Sequence, residues 1–208
     1  NNMRANSTLE KLASLKTVFS KSEAATLTAA NSTPLTDGAA GVLLASEEWA
    51  KAKGLPILAY LVTGETAAVD FIKADQSADN FVRGAEGLLM APAQAVPRML
   101  GRLGLGLGDF DFYEIHEAFA AQVLCTLAAW EDERFAKEYL GLDKPFGSID
   151  RSKLNVKGSS LALGHPFAAT GARIVGTLAK IIEENKGGRG LISICAASGM
   201  GVTAVLEG

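Results

Sequence analysis

Cysteine and histidine are both scarce in this 208-residue chain, with two of each: Cys125, Cys195, His116 and His165. Two cysteines make no disulfide framework, and nothing in the sequence resembles a secretory leader, so a reducing cytoplasm is the default compartment. None of the four residues stands at the short ligand spacings C-x2-C or H-x3-H, so the pattern offers no metal site. Charge is also without a surplus: 20 Lys and Arg face 23 Asp and Glu, a net of −3. That excludes a broad basic surface and makes nucleic acid an unfit partner. No apolar run approaches the ~20 residues that cross a bilayer, so no transmembrane segment is read. A serine hydrolase lacks its G-x-S-x-G, because Ser198 in Ala-Ala-Ser-Gly has no leading glycine.

What is present is the makings of a globular domain. Hydrophobic residues are 48% and charged residues 21% of the chain, enough to bury a core. The length suits one large domain, or one domain with a piece of another. The polar start Asn1-Asn2-Met3-Arg4-Ala5-Asn6-Ser7 reads as a loop, and the chain as a fragment.

Helical spacing of Leu9, Leu12, Leu15 and Val18 marks a short helix within Thr8–Phe19. Ser46 caps a helix over Ser46–Lys53 that opens on Glu47 and Glu48 and stops at Gly54 and Pro56. Ile57–Val62 reads as a buried strand, Ala93–Leu103 as an amphipathic helix, and the alternating glycines Gly104, Gly106 and Gly108 as a helix-to-strand connection rather than a phosphate loop. A strand over Phe110–His116 and a helix over Ala118–Trp130 follow. Glu131–Lys153 is a charged surface excursion. A long helix from Pro166 to Glu184 leads to a strand at Leu191–Ala196, and Val202–Leu206 returns as a tight hairpin. Strands alternating with helices predict an α/β fold: a mostly parallel sheet with a closing antiparallel strand and helices on both faces.

Each histidine stands where a strand or loop meets a helix, a place where α/β folds put ligands. His116 opens Glu117-Ala118-Phe119-Ala120 and reads either as a polar helix cap or as a catalytic residue. His165, in Gly164-His165-Pro166, precedes small residues that let the following helix approach a ligand; it serves as a base or oxyanion donor, or as a structural turn residue. Cys195 ends a strand and faces the glycine-rich Ala196-Ala197-Ser198-Gly199-Met200-Gly201. It is either a buried hydrophobe or a thiol beside exposed N–H groups. Cys125, between Leu124 and Leu127, reads as core.

Taken in order, His116-Glu-Ala-Phe, Gly164-His-Pro and Cys195-Ala-Ala-Ser-Gly resemble three of the four signature blocks of the thiolase family. Thr28-Ala29-Ala30-Asn31-Ser32, Leu35-Thr36-Asp37-Gly38-Ala39-Ala40 and Leu154-Asn155-Val156 fit around them, and the resemblance covers nearly the whole chain. His116 stands where most thiolases have Asn, which is similar to the β subunits of the trifunctional fatty-acid oxidation enzymes. The resemblance implies a thiolase-like layered fold with a mixed five-stranded sheet. It divides the chain into the tail of a loop region (1–24), the last segment of the N-terminal domain (25–54) and the C-terminal domain (55–208). The fourth block, Cys-x-Ser with the acylated cysteine, would lie upstream of Asn1. Ser159-Ser160 in place of paired glycines, and Ser198 and Met200 within the last glycine run, leave acyl-chain length open.

The resemblance also implies an activity: thiolytic cleavage of 3-ketoacyl-CoA to acetyl-CoA and a shortened acyl-CoA, or the reverse Claisen condensation, in fatty-acid β-oxidation. His165 would activate the missing cysteine, His116 would join the oxyanion site, and Cys195 would shuttle the α-carbon proton with a thiol pKa near 8.5. Ser32, Thr33, Phe119, Asn155, Ala197 and Gly199 fall along the path of substrate and coenzyme A, with the Ala197 N–H as an oxyanion donor. Coenzyme A enters as substrate, and no cofactor is implied. The implied partners are the N-terminal half, a second copy in a dimer or tetramer, and a hydratase–dehydrogenase subunit. Two alternatives stay open: a 3-ketoacyl synthase-type condensing enzyme, and a catalytically inactive thiolase-like subunit or fragment.

Overall fold

The computed structural model describes residues 4–71 and 87–208, so the loop reading of Asn1–Met3 lies outside it. In chain order the elements are α1 (Leu9–Ala13), α2 (Glu47–Ala52), β1 (Tyr60–Ala68), α3 (Ala91–Leu103), β2 (Phe112–Ile115), α4 (Ala120–Glu131), α5 (Glu133–Phe135), α6 (Ser160–Leu163), α7 (Phe167–Asn185), β3 (Arg189–Ala196) and β4 (Met200–Glu207). Local chemistry sets several of the ends. The Ser46 hydroxyl accepts the Trp49 N–H at 3.2 Å and so satisfies one orphan donor of α2. Gly104 closes α3 at φ 67°, a left-handed conformation that costs glycine little, and the glycine run is thereby a helix-to-strand connection.

The four strands of the described residues lie in the order β1-β4-β3-β2. β2 pairs with β3 in parallel, whereas β4 is antiparallel to both β3 and β1. The α/β class and the mixed sheet stand; among the described residues the sheet has four strands. Three of the four strands do point one way. The returning strand β4, however, inserts between β3 and β1 instead of closing an edge, so two of the three ladders are antiparallel. The hairpin dictates this position: only Ala197-Ser198-Gly199 separate the paired Ala196 and Met200, so β4 must lie against β3.

Side chains of β3 and β4 alternate between two cores, as the two-residue period of a strand requires. Leu191 and Val205 join Val96, Met99, Leu100, Val123, Leu127 and Trp130 of α3 and α4 on one face. Ile192 and Leu206 join Ile174, Leu178 and Ile182 of α7 on the other. Helices therefore cover both faces, as expected. Each of the α7 side chains is fully buried, which contributes about 1.5–3 kcal/mol apiece.

Three readings change. The strand expected as buried at Ile57–Val62 is β1, which starts at Tyr60 and lies at the sheet edge, with Leu61 and Val62 exposed. It is apolar without being interior, because its outer side has no neighbour among the described residues. Cys125 is exposed rather than core. The buried arc of α4 holds Gln122, Val123, Thr126, Leu127, Ala129 and Trp130, and at 100° per residue Leu124 and Cys125 fall on the opposite side. Finally, the excursion Glu131–Lys153 buries Phe135 and Ala136 and packs Phe146 and Ile149 against the core.

Candidate active site

The parallel ladder of β2 and β3 ends at the pair Ile115 and Ser193. One residue further, the His116 N–H donates to the Ser193 carbonyl at 2.9 Å. This bond holds His116 beside the end of β3, the strand that carries Cys195 two residues on. Asn155 stabilises the same strand end from the other side. Its backbone adopts φ 48°, a conformation that Asn tolerates better than most residues. Its Oδ1 accepts the Ile115 N–H at 2.9 Å, and its Nδ2 donates to the Ile115 carbonyl at 3.0 Å and to Glu117 Oε1 at 2.8 Å. Both ends of the amide of Asn155, expected on the substrate path, are thus committed to protein and brace the strand end that leads into His116. Glu117 Oε2 accepts the Leu161 N–H at 3.0 Å and ties this loop to α6.

His165 arrives from the start of α7. Its N–H donates to the Pro34 carbonyl at 2.9 Å, and its Nδ1 lies 2.7 Å from Thr170 Oγ1. Gly164, at φ 98°, allows this approach: a Cβ there would meet the Thr36 side chain at 2.5 Å. The outcome is that the two histidine rings, remote in sequence, stand 4.3 Å apart between centroids at 43°. His116 is 1% exposed and its Nδ1 lies 2.8 Å from Ser160 Oγ, an oxygen that accepts from Arg173 Nη2 at 2.8 Å. His165 is less enclosed. It borders a cleft of about 450 Å³ lined by Leu35, Asp37, Pro166 and the exposed Phe167.

The N-terminal segment closes over this pair. Thr33 donates its N–H to the Ala118 carbonyl at 3.0 Å and its hydroxyl to the Ser160 carbonyl at 2.7 Å. Ser32 forms a backbone bridge with Phe119, and its hydroxyl donates to the Thr28 carbonyl at 2.7 Å. The Phe119 ring stands edge-on to Phe19 at 5.5 Å. Cys195 is buried, with the Ala118 backbone beside its thiol. Beyond it, Ala197 is exposed in the hairpin turn. Gly199 is buried, with its carbonyl accepting the Val69 N–H at 2.8 Å. His116, His165, Cys195, Ser32, Thr33 and Phe119 therefore converge, whereas Gly199 packs against the Val69 end of β1.

Burial dominates the electrostatics. It holds His116 down at about 3, reinforced by His165 and Arg173, so that ring is neutral at physiological pH. His165 is lowered for the same reason, with Arg173 adding to it. Cys195 is pushed up to about 11 by burial, only partly offset by its own and the Ala118 backbone. The ordinary thiol value expected for it is thus corrected: the thiol is held protonated. Glu114 rises to about 7 through burial, opposed by Arg173 and aided by Glu117. Among the described residues, no group of three or more His, Cys, Asp or Glu is placed to hold a metal ion.

Sequence reasoning missed Ser160, Thr170 and Arg173 as partners of the histidines. Thr170 and Arg173 were legible in part, since they fall three residues apart on the helix that starts beside His165. Ser160 carried no periodic signal.

The thiolase C-terminal domain family model matches residues 75–208. The chain belongs to the thiolase family. The thiolase N-terminal domain model matches residues 1–48. Over 207 residues the chain is 44% identical to a 3-ketoacyl-CoA thiolase of Shewanella sp. (strain W3-18-1) and 45% identical to one of Pseudoalteromonas translucida (strain TAC 125). Each alignment takes in 100% of this chain and 44% of the relative, so the chain spans less than half the length of the curated relatives it matches. Two solved structures share the fold at a TM-score of 0.75 over 98% of this chain and 43% of theirs: the acetyl-CoA acetyltransferase of Bacillus anthracis at 38% identity and the dimeric peroxisomal thiolase of Saccharomyces cerevisiae at 34%.

Proposed function

We propose that this thiolase-family chain supplies the acid–base half of an acyltransferase. The whole protein would cleave 3-ketoacyl-CoA with coenzyme A to acetyl-CoA and a shortened acyl-CoA in fatty-acid β-oxidation, or run the reverse Claisen condensation. The observation that carries this reading is the convergence of His116 and His165 at 4.3 Å with a protonated Cys195 beside the Ala118 backbone. The acylated cysteine is neither Cys125, on the outer face of α4, nor Cys195. On this reading it comes from polypeptide outside these 208 residues.

The roles follow from protonation state. His165, neutral and open to the cleft, takes the proton of the attacking cysteine. The cysteine adds to the keto carbon, the α–β carbon bond breaks, and acetyl-CoA leaves as its enolate. The Cys195 thiol protonates that enolate; being held protonated suits it to donate without prior activation. The Cys195 thiolate then takes the thiol proton of incoming coenzyme A, whose sulfur accepts the acyl group, and His165 returns its proton to the departing cysteine. His116 and the Ala197 N–H belong to the oxyanion sites. Ser32, Thr33 and Phe119 border the path of the pantetheine arm, Asn155 places the strand end, and Gly199 shapes the turn next to Ala197.

On the same reading, residues 25–54 close the N-terminal domain after a loop-region tail at 1–24, and residues 55–208 form the C-terminal domain. The assembly is a dimer or tetramer, as the Saccharomyces relative is dimeric. A hydratase–dehydrogenase subunit is a further partner, and the compartment is the cytoplasm. No helix among the described residues is long and apolar enough to cross a membrane.

Both family models and the curated relatives carry the thiolase name, which weighs against the condensing-synthase alternative. The test is to incubate the full-length protein with 3-ketoacyl-CoA of several chain lengths and follow products by chromatography. Acetyl-CoA and shortened acyl-CoA, formed only when coenzyme A is present, is the expected result. Turnover of malonyl thioesters without thiolysis would replace this reading with a synthase. No turnover and no acyl-enzyme in either direction would leave an inactive subunit.

A further inference from the structure

Between α7 and His116 lies a three-member chain of side chains whose donor and acceptor capacities are fixed by chemistry. Arg173 Nη2 donates to Ser160 Oγ at 2.8 Å, and the same oxygen lies 2.8 Å from His116 Nδ1. A guanidinium has donors only, so the Ser160 oxygen accepts from Arg173 and must place its own proton elsewhere. Among the described residues the acceptor within reach of that hydroxyl is His116 Nδ1. The hydroxyl is fully buried, so leaving its proton without a partner would be costly. The serine itself cannot drift, because the Thr33 hydroxyl and the Gly164 N–H both bond its backbone carbonyl, at 2.7 and 2.8 Å.

We propose that Ser160, polarised by Arg173, is a positioning residue that holds His116 in the tautomer with its proton on Nε2, so that His116 meets substrate as a neutral hydrogen-bond donor and never as a base. The proposal rests on the thiolase reading for its kinetic consequence, though not for its structural one. It divides the labour of the two rings. His165 has Thr170 Oγ1 at its Nδ1, with no cation on that hydroxyl among the described residues, so its ring is free to take up and return a proton. His116 is locked. An oxygen that develops negative charge beside the pair is then met by a fixed N–H that never has to be loaded with a proton.

The experiment is ¹⁵N NMR of the full-length protein labelled in histidine, with His116 assigned by the resonances lost in a His116→Gln spectrum. Long-range proton–nitrogen couplings separate the two neutral tautomers. The wild-type spectrum is expected to show His116 protonated on Nε2 across neutral pH, and Ser160→Ala to turn that signal into a mixture of tautomers. In thiolysis assays Ser160→Ala should lower kcat about 10–30-fold with KM within about twofold, less than outright loss of an oxyanion donor. Ser160→Thr, which keeps the hydroxyl, should restore the tautomer and most of the rate. A wild-type His116 protonated on Nδ1 overturns the proposal and needs no variant to fold. So does a Ser160→Ala protein whose His116 remains wholly protonated on Nε2. Absence of thiolase turnover with the Nε2 tautomer intact would instead bring down the functional reading alone.

Discussion

The two histidines that meet at 4.3 Å are held in opposite ways. His116 sits at the dry end of the sheet, 1% exposed, with its backbone on Ser193, its ring on Ser160 and its strand end bracketed by Asn155. His165 sits on a loop at a helix start, held by the Pro34 carbonyl and by Thr170 of α7, and it borders a cleft. A group that must only present a hydrogen bond gains from being immobile and desolvated, because its dipole then needs no reorganisation. A group that must exchange protons needs access to its partner. On the proposed thiolase reading, the difference in burial between the two sides is a difference in task.

The largest effect that could break this comparison is expected from His165→Ala. In the full-length enzyme it should cut both acylation and carbon–carbon cleavage by about 10³-fold or more, measured as separate half-reactions. Retention of acylation would move the base elsewhere. Cys195→Ala should leave acylation within a few fold while cleavage falls by about 10³-fold, since only the enolate needs its proton. Equal loss of both half-reactions would make Cys195 structural.

Stability tests sharpen the buried side. Asn155→Gly keeps the positive φ and deletes only the amide, leaving the Ile115 N–H and Glu117 short of partners. A loss of about 2–4 kcal/mol is expected in urea unfolding, and a neutral result would show that water replaces the clamp. The smallest effect concerns pH. The folded pKa of Glu114, about 7, exceeds its reference of 4.5, so the folded state binds more protons between those values and stability falls there as pH rises. His116 is held at about 3, below its reference of 6.5, so its contribution rises with pH across that window. The slopes oppose each other between about 4.5 and 6.5. Glu114→Gln removes the falling one, and stability should then climb more steeply there, by up to about 1.4 kcal/mol per pH unit. An unchanged slope in urea unfolding at several pH values would show that Glu114 is not raised.

Much of the fold was legible locally. Ser46 and Gly104 announced their helix ends, because caps and left-handed turns are decided by a few neighbouring atoms. The candidate site was legible as three short blocks, since His116, His165 and Cys195 are rare residue types at strand-to-helix and strand-to-turn junctions. Cys125 was misjudged because an apolar neighbourhood in sequence does not fix which arc of α4 faces the core. Ser160 stood out only as a departure from paired glycines, because a buried serine does not announce its partners until its histidine and arginine are in place.

By itself the sequence determined the alternation of helix and strand, the two-sided burial of the last strands, and the identity of the groups able to move protons. These depend on periodicity and on chemistry carried by single residues. Only the tertiary structure decided that β4 runs between β1 and β3, that Asn155 is a clamp, and which histidine is dry. Those outcomes depend on contacts between segments remote in the chain, such as Thr33 with Ser160 and His116 with Ser193, whose strength comes from shared burial.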